Sequence, residues 1–412
     1  MVNTESRESR KPLEGVRVID FTHFEAGTSA TQLLAWFGAE VIKVEPPHSG
    51  EQGRSASADV KGLDSFYFLM LNANKKSMTL NMKNDEGQAI FWKLVEKADV
   101  VIQNWGPGQA EKFGVSYDSL SRVQPAIVYV AISGFPRGTS YETYKAFDPI
   151  AQATGGAISI TGFPDGPPIY PGPTMADSGA GLLAVVGTLL AILEARRTGR
   201  GQEVRVSLQD AVMNLCRVGY ARQALTGEAA PRVGNNLTMP SAPAGLFPCR
   251  PNGPNDFCYI YPGRGTLGDR NWKKLLAIMG REDLLGKEEW YENEGRVVAE
   301  EEVNGVVAEW TSTLTKHEVM RLLAEVGVPA GVVRDTKELS EDHELVDCGS
   351  IVEIAHPQRG KYRMPGVPLR LSSSENEVHA PPLLGSSTEQ VLRSLLSYSA
   401  DEVERLSRMG IV

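Results

Sequence analysis

"GVRVIDFTHFEAGTSATQLLAWFGAEVIKVEPP", residues 15–47, decides the fold. "GVRVIDF" is a short apolar run of the kind found in a buried strand, "SATQLLAWFGA" has helical character, and "EVIKVEPP" is a second strand. Outward from it the alternation continues. "SMTLNM" (77–82) is followed by the helix "NDEGQAIFWKLVEKA" (84–98) and the strands "DVVIQNW" (99–105) and "AIVYVAISGF" (126–135). Such alternation predicts an α/β fold on a mainly parallel, helix-covered sheet. Ligands on that architecture sit at the carboxyl ends of strands, which singles out "THFEAG" (22–27), "NWGPG" (104–108) and "GFPRG" (134–138).

"PTMADSGAGLLAVVGTLLAILEARRTGRG", residues 173–201, predicts a helix from Ser178 to about Arg197. Asp177 is placed to cap its start, Arg196 and Arg197 complement the dipole at its end, and Gly199 stops it. Ala180, Ala184, Gly187 and Ala191 recur with helical spacing and make one small face suited to close backbone approach. "QEVRVSLQDAVMNLCRV" (202–218) gives another strand and helix. The Pro-, Gly- and Asn-rich stretch 226–245 has linker composition. Beyond it "DFCYIYPGRGTLGDRNWKKLLAIMG" (256–280) reads as strand, glycine turn and a helix from near Asn271. A helical region to about Val326, the stretches 327–335 and 349–372, and a helical C-terminal tail complete the chain.

At 412 residues the chain is long enough for two or three domains, and 42% hydrophobic with 23% charged residues is ordinary for a globular protein. A formal charge of -9 excludes a broad basic face for nucleic acid or anionic membrane, so an anionic ligand has to be held by local cations or backbone N–H groups. Cys216, Cys249, Cys258 and Cys348 show no CxxC spacing, which points to reduced thiols in a cytoplasm rather than a disulfide framework or zinc site. His48, His317, His343, His356 and His379 are scattered, and no metal is expected. "MVNTESRESRKP" is charged and reads as a frayed tail, not a signal peptide. "LLAVVGTLLAIL" (182–193) is shorter than the roughly 20 residues that span a bilayer.

Taken bare, Asp177 is a helix cap worth about 1 kcal/mol, although a carboxylate there is also able to act as a covalent nucleophile. Gly263, Gly265 and Gly268 in "YPGRGTLG" do not follow a first strand, so they make no dinucleotide fingerprint; they form a turn, or a mobile lid whose backbone approaches a reacting group. His23 stands at the end of the first strand. Lys83, Lys112 and Lys145 are ordinary surface cations by default.

Together these pieces resemble the class III CoA transferases (CaiB/BaiF type), the family of formyl-CoA:oxalate CoA transferase. The resemblance is carried by "PLEGVRVIDFTH", "GAEVIKVEPP", "NANKKSMTLNMK", "NWGPG", "TGGAISITGFPDGPP", "RRTGRGQEVRVSLQDAVMNLCR" and "PPLLGSST", in one order over nearly the whole chain. It implies a Rossmann-like large domain over 1–208 completed by 393–412, a linker 209–232, a smaller central α+β domain over 233–330, and a return linker with strands over 331–392. It also implies an interlocked homodimer, with a heteromer containing a paralogous subunit as the alternative.

The resemblance makes Asp177, in "ADSG", the nucleophile. It attacks an acyl-CoA to give a mixed anhydride, which CoA thiolate converts to an aspartyl-CoA thioester before an acceptor carboxylate reverses the sequence. The helix N-terminus is expected to hold this carboxylate ionised and oriented. Gly263, Arg264, Gly265 and Gly268 correspond to the family's glycine loop, which shields the intermediates from water. Glu25, Ala26, Leu80, Lys83, Asn104, Trp105, Gly106, Lys112, Lys145, Phe147 and Asp148 correspond to its CoA contacts, the lysines supplying charge for the phosphates. CoA thioesters are substrates, and no tightly bound cofactor is implied.

This chain departs from the oxalate enzymes at several positions. Glu25 replaces a Gln and disfavours a small dianion close by. Ala56 aligns with a bulky Trp that limits the pocket, suggesting, with His23 nearby, a larger acid such as the dicarboxylate succinate. Arg264 interrupts the glycine run and is placed to pair with a distal carboxylate, and Pro46 replaces a CoA-binding Arg. An α-methylacyl-CoA racemase of the same superfamily needs a His where "KAFDPIAQ" has Phe147. An inactive CoA-binding subunit is disfavoured by the retained Asp177, and a nicotinamide dehydrogenase by the missing fingerprint.

Overall fold

The computed structural model describes residues 11–412; the expected charged tail lies, over residues 1–10, outside the described residues. The described residues form two compact units, one of residues 11–157, 170–217 and 343–412, the other of residues 158–169 and 218–342.

The first unit is built on six strands: β1 (Arg17–Asp20), β2 (Glu40–Glu45), β3 (Lys76–Thr79), β4 (Val100–Gln103), β5 (Val128–Ser133) and β6 (Glu203–Ser207). All pair in parallel, in the order β3-β2-β1-β4-β5-β6. This is a doubly wound, Rossmann-like arrangement, and the chain reverses its direction of winding between β1 and β4. The inner strands β2, β4 and β5 are buried along nearly their whole length because both faces are covered, whereas the edge strands β3 and β6 carry polar residues and are partly exposed. Val18, Val100, Ile102, Val128 and Val130 pack into one apolar layer with the helices Ala26–Trp36 and Met175–Thr198. Ile19, Val101 and Tyr129 point the other way, onto the helix Asp85–Val95 and onto Leu392, Leu406 and Ile411 of the C-terminal tail.

The long helix, Met175–Thr198, ends as its sequence predicts, at Gly199 with φ 72°, an angle that favours glycine. Its small residues bury fully: Ala180, Ala184 and Ala191 are at most 1% exposed. Gly181 lies so close to the helix Ala26–Trp36 that a Cβ there would stand 2.5 Å from Ser29 Oγ and 2.8 Å from the Ala26 carbonyl. The run read as too short to span a bilayer belongs to this 24-residue helix, which is long and apolar enough to do so; half of its most apolar window is buried within the protein.

Residues 209–232, expected as a linker, are largely helical, with Leu208–Leu215 and Gly219–Thr226. In the second unit, β7 (Gly245–Pro248), β8 (Phe257–Ile260) and β9 (Ala330–Val332) form an antiparallel sheet. It packs with helices through Phe247, Cys258, Ile260, Trp272, Trp290 and Val303. A hairpin, β10 (Ile351–His356) with β11 (Gly360–Pro365), returns the chain to the first unit.

Candidate active site

At the reversal point the loops after β1 and β4 are laced together. The His23 amide donates to Asn104 Oδ1 at 2.9 Å, and Asn104 Nδ2 donates back to the His23 carbonyl at 2.8 Å. Trp105 packs beside this pair, tilted against Phe21 and edge-on to Phe113. Burial, then the charge of Lys43, lowers the His23 imidazole to about 4, so it is neutral at physiological pH.

A buried ion network supports the β1 loop from below. Asp20, fully buried, accepts from the Thr22 amide and hydroxyl and from Thr31 Oγ1, and pairs with Lys75 at 3.2 Å. Lys75 Nζ donates in turn to the Thr28 carbonyl and Asn72 Oδ1, while Lys43 Nζ donates to the Thr22 carbonyl. Burial lowers the Lys75 ammonium to about 7 despite its partner.

The long helix begins earlier than expected. It starts at Met175 rather than Ser178, which puts Asp177 inside the first turn instead of at the cap. The Ala176 and Asp177 amides donate instead to Oδ1 of Asp148, at 2.8 and 3.1 Å. The Met175 amide donates to the Pro173 carbonyl and the Ser178 amide to that of Thr174, so each of the first four N–H groups has an acceptor. Asp148 is itself held through Oδ2 by Gln152 Nε2 at 2.6 Å and by the Tyr170 hydroxyl at 2.8 Å.

With these donors taken, none among the described residues reaches the Asp177 carboxylate. Burial, then the charges of Glu25 and Asp148, raises it from 3.8 to about 7. The expectation that the helix start holds this group ionised is therefore overturned: its N–H groups serve Asp148, and two neighbouring anions outweigh the dipole. Glu25 heads the helix Ala26–Trp36 without capping it; its Oε1 accepts from Thr174 Oγ1 and, at 3.0 Å, from Ser178 Oγ. The Tyr67 phenol is pushed above its ordinary value by burial and then by Glu25, Asp177, Glu51 and Asp148, which places it among these acids. Among the described residues no acceptor engages the amides of Ala26, Gly27 and Thr28, although the Ser29 amide reaches the Glu25 carbonyl.

The remaining candidates lie as follows. The Leu80 side chain is 2% exposed and packs in the core. Lys83, Lys112 and Lys145 are exposed, and none makes an ion pair among the described residues. Phe147 is 63% exposed, with its ring edge-on to Phe24. Gly106 lies in an exposed turn, and Ala56, half-buried, ends the short helix Gln52–Ser55. In the second unit the glycine turn is shorter than expected. The helix Gly265–Ile278 starts six residues before Asn271, whose Nδ2 is committed to the Pro262 carbonyl at 2.8 Å. A Cβ on Gly268 would stand 2.4 Å from the Gly263 carbonyl, so this turn tolerates no side chain there. Arg264 Nε is buried without a partner. Thr174, Ser178, Gln152, Tyr67 and Tyr170 escaped the sequence reading. Only Thr174 and Ser178, flanking Asp177, carried any local signal.

The fold and site define a doubly wound α/β protein with a partly protonated carboxyl at a helix start, next to a strand-order reversal. The profile of CoA-transferase family III matches residues 13–388, and the chain belongs to that family. It is 40% identical to the formyl-CoA:oxalate CoA-transferase of Streptomyces coelicolor, over 98% of this chain and 99% of that protein. Its identity to the protein of the same name from Bradyrhizobium sp. is 37%, over 97% of each. Among solved structures, a CaiB/BaiF family protein from Brucella suis superposes with a TM-score of 0.82 at 27% identity, covering 94% of this chain and 100% of that one. The hypothetical protein Rv3272 from Mycobacterium tuberculosis gives 0.77 at 25% identity, over 92% and 98%. The chain is thus a CoA-transferase.

Proposed function

We propose that this enzyme transfers CoA from an acyl-CoA to a carboxylic acid through Asp177. The observation that carries the reading is the Asp177 carboxyl itself, half-buried, reached by no hydrogen-bond donor among the described residues and raised to about 7 by burial, Glu25 and Asp148. A carboxylate stripped of donors is a stronger nucleophile than a solvated one. The ionised form attacks the thioester carbon; the C–S bond breaks, CoA thiolate leaves, and a mixed anhydride forms. The thiolate attacks the Asp177 carbonyl of the anhydride, releasing the donor acid and leaving an aspartyl-CoA thioester. The acceptor carboxylate then displaces the thiolate to form a second anhydride. Finally the thiolate takes the new acyl group and regenerates Asp177. No ATP is consumed. The uncommitted amides of Ala26 and Gly27 are the donors we assign to the developing oxyanion.

We assign the CoA chain to the strand-end residues Asn104, Trp105 and Gly106 with Phe147, and its phosphates to the exposed Lys83, Lys112 and Lys145. Gly263, Gly265, Gly268 and Arg264 are retained as the shielding loop. The relatives' names make formyl-CoA and oxalate the first pair to test. A second reading, an acid larger than oxalate, rests on the Glu25 carboxylate beside Asp177, which repels a short dianion. Donor and acceptor screens following CoA thioesters by mass spectrometry decide between the two. Formation of no CoA thioester from any pair refutes the function.

We further infer a homodimer acting in the cytoplasm. Leu182, Val186, Leu190 and Leu193 are 59%, 54%, 61% and 64% exposed along one face of the long helix, an apolar stripe suited to a second copy of the chain.

A further inference from the structure

We propose that Asp148 is a positioning residue for Asp177: by taking over the cap of the long helix, it keeps the Asp177 carboxylate out of the helix's own hydrogen bonding and available for attack. This rests on the reading of Asp177 as nucleophile, and it gives Asp148 a different task from the CoA contact that family resemblance implies.

A carboxylate in the first turn of a helix ordinarily turns back onto the free N–H groups there. Asp177 finds those donors occupied, because Asp148 Oδ1 spans the amides of Ala176 and Asp177. Asp148 is held in that pose by the two bonds to its other oxygen, from Gln152 and Tyr170. Gln152 Nε2 also donates to the Pro173 carbonyl at 2.9 Å, tying the turn that launches the helix to the same carboxylate. Asp148 is 4% exposed and Gln152 fully buried, so the bond between them is sheltered from competing water, while Tyr170, 43% exposed, holds the carboxylate from the solvent side. Four donors on one side chain need an acceptor-only group with two oxygens. Asparagine retains one oxygen for the cap and loses the second set; alanine loses both.

Two roles of Asp148 are separable. As a cap it fixes where the Asp177 side chain starts, and as an anion it adds to the charge of Glu25 beside Asp177. Neither role touches CoA, so the donor's KM is not the parameter that responds.

The test compares wild type, Asp148→Ala and Asp148→Asn, using formyl-CoA and, in parallel, succinyl-CoA as donors. Acylation of Asp177 is trapped with hydroxylamine and timed by peptide mass spectrometry across pH. Asp148→Ala is expected to slow acylation about 10- to 100-fold, the scale of a misplaced reacting group, with the donor's KM changed less than about twofold. Asp148→Asn is expected to recover most of that rate and to move the acid limb of its pH profile to lower pH, because one anion beside Asp177 is gone. An Ala variant that acylates at the wild-type rate, or one that raises KM alone, overturns the proposal. Should the Ala variant fail to fold, the Asn variant decides, and a limb unmoved from the wild-type pH overturns it. Wild-type enzyme unmodified at Asp177 by both donors, while still transferring CoA, removes the nucleophile reading and this inference with it.

Discussion

Asp148 and Asp177 divide between them two tasks that one side chain was expected to combine. The Asp148 carboxylate closes the start of the long helix through the amides of residues 176 and 177, and the Asp177 carboxylate stands free beside it. Two anions thereby share one buried corner, which has consequences for both rate and stability.

Activity should rise with pH through about 7, because attack requires Asp177 ionised and its proton is held that long by burial, Glu25 and Asp148. Asp177→Asn should lower kcat by about 1000-fold or more, since no neighbouring group replaces a covalent nucleophile. Steady-state CoA transfer from pH 5 to 9 checks both. A limb near the ordinary 3.8 of a free carboxyl would contradict the environment described.

The same group should cost stability in alkaline solution. Its folded value, about 7, exceeds its unfolded value, 3.8, so the native state binds the extra proton between those values. The contribution is complete below about 4 and is lost as pH rises through 7. Asp177→Asn should therefore unfold like wild type at pH 4 but be more stable at pH 8, by about 1–3 kcal/mol. Urea midpoints at the two pH values measure it.

Gly181→Ala should destabilise by about 1–3 kcal/mol, since the added Cβ meets the backbone carbonyl of Ala26, which cannot rotate aside as Ser29 Oγ can. The resulting shift of the helix start should lower kcat more than the donor's KM. Melting temperature and steady-state kinetics together test this.

Lys75→Met should cost about 3–5 kcal/mol by leaving Asp20 as an unpaired buried charge, and adding Asp20→Asn should restore part of the loss. Denaturant unfolding of the single and double variants reports the coupling.

Leu190→Glu combined with Leu193→Glu should convert a dimer to monomer, if the exposed stripe on the long helix meets a second copy of the chain. Light scattering during gel filtration gives the mass directly. An unchanged dimer would place the interface elsewhere.

The inner strands were legible because they are short apolar runs covered on both faces, and the helix end because Gly199 lies in a conformation glycine favours. The helix start was not. Asp177 has the chemistry of a cap, and only tertiary packing brings in Asp148, 29 residues earlier, to displace it. Its acidity was misjudged for the same reason, since Glu25 reaches the site from the head of the helix Ala26–Trp36, 149 residues before Thr174. The turn at 263–268 shows the converse: glycines suggested an open loop, but Gly265 and Gly268 enter the helix, where one of them permits a tight backbone crossing.

Because Glu25, Asp148 and Asp177 meet only after the sheet has closed around them, a nascent or damaged chain carries three unremarkable acids and no reactive one. With Asp177 as the nucleophile proposed above, acyl chemistry would depend on completion of folding, since only the folded chain raises that carboxyl to about 7.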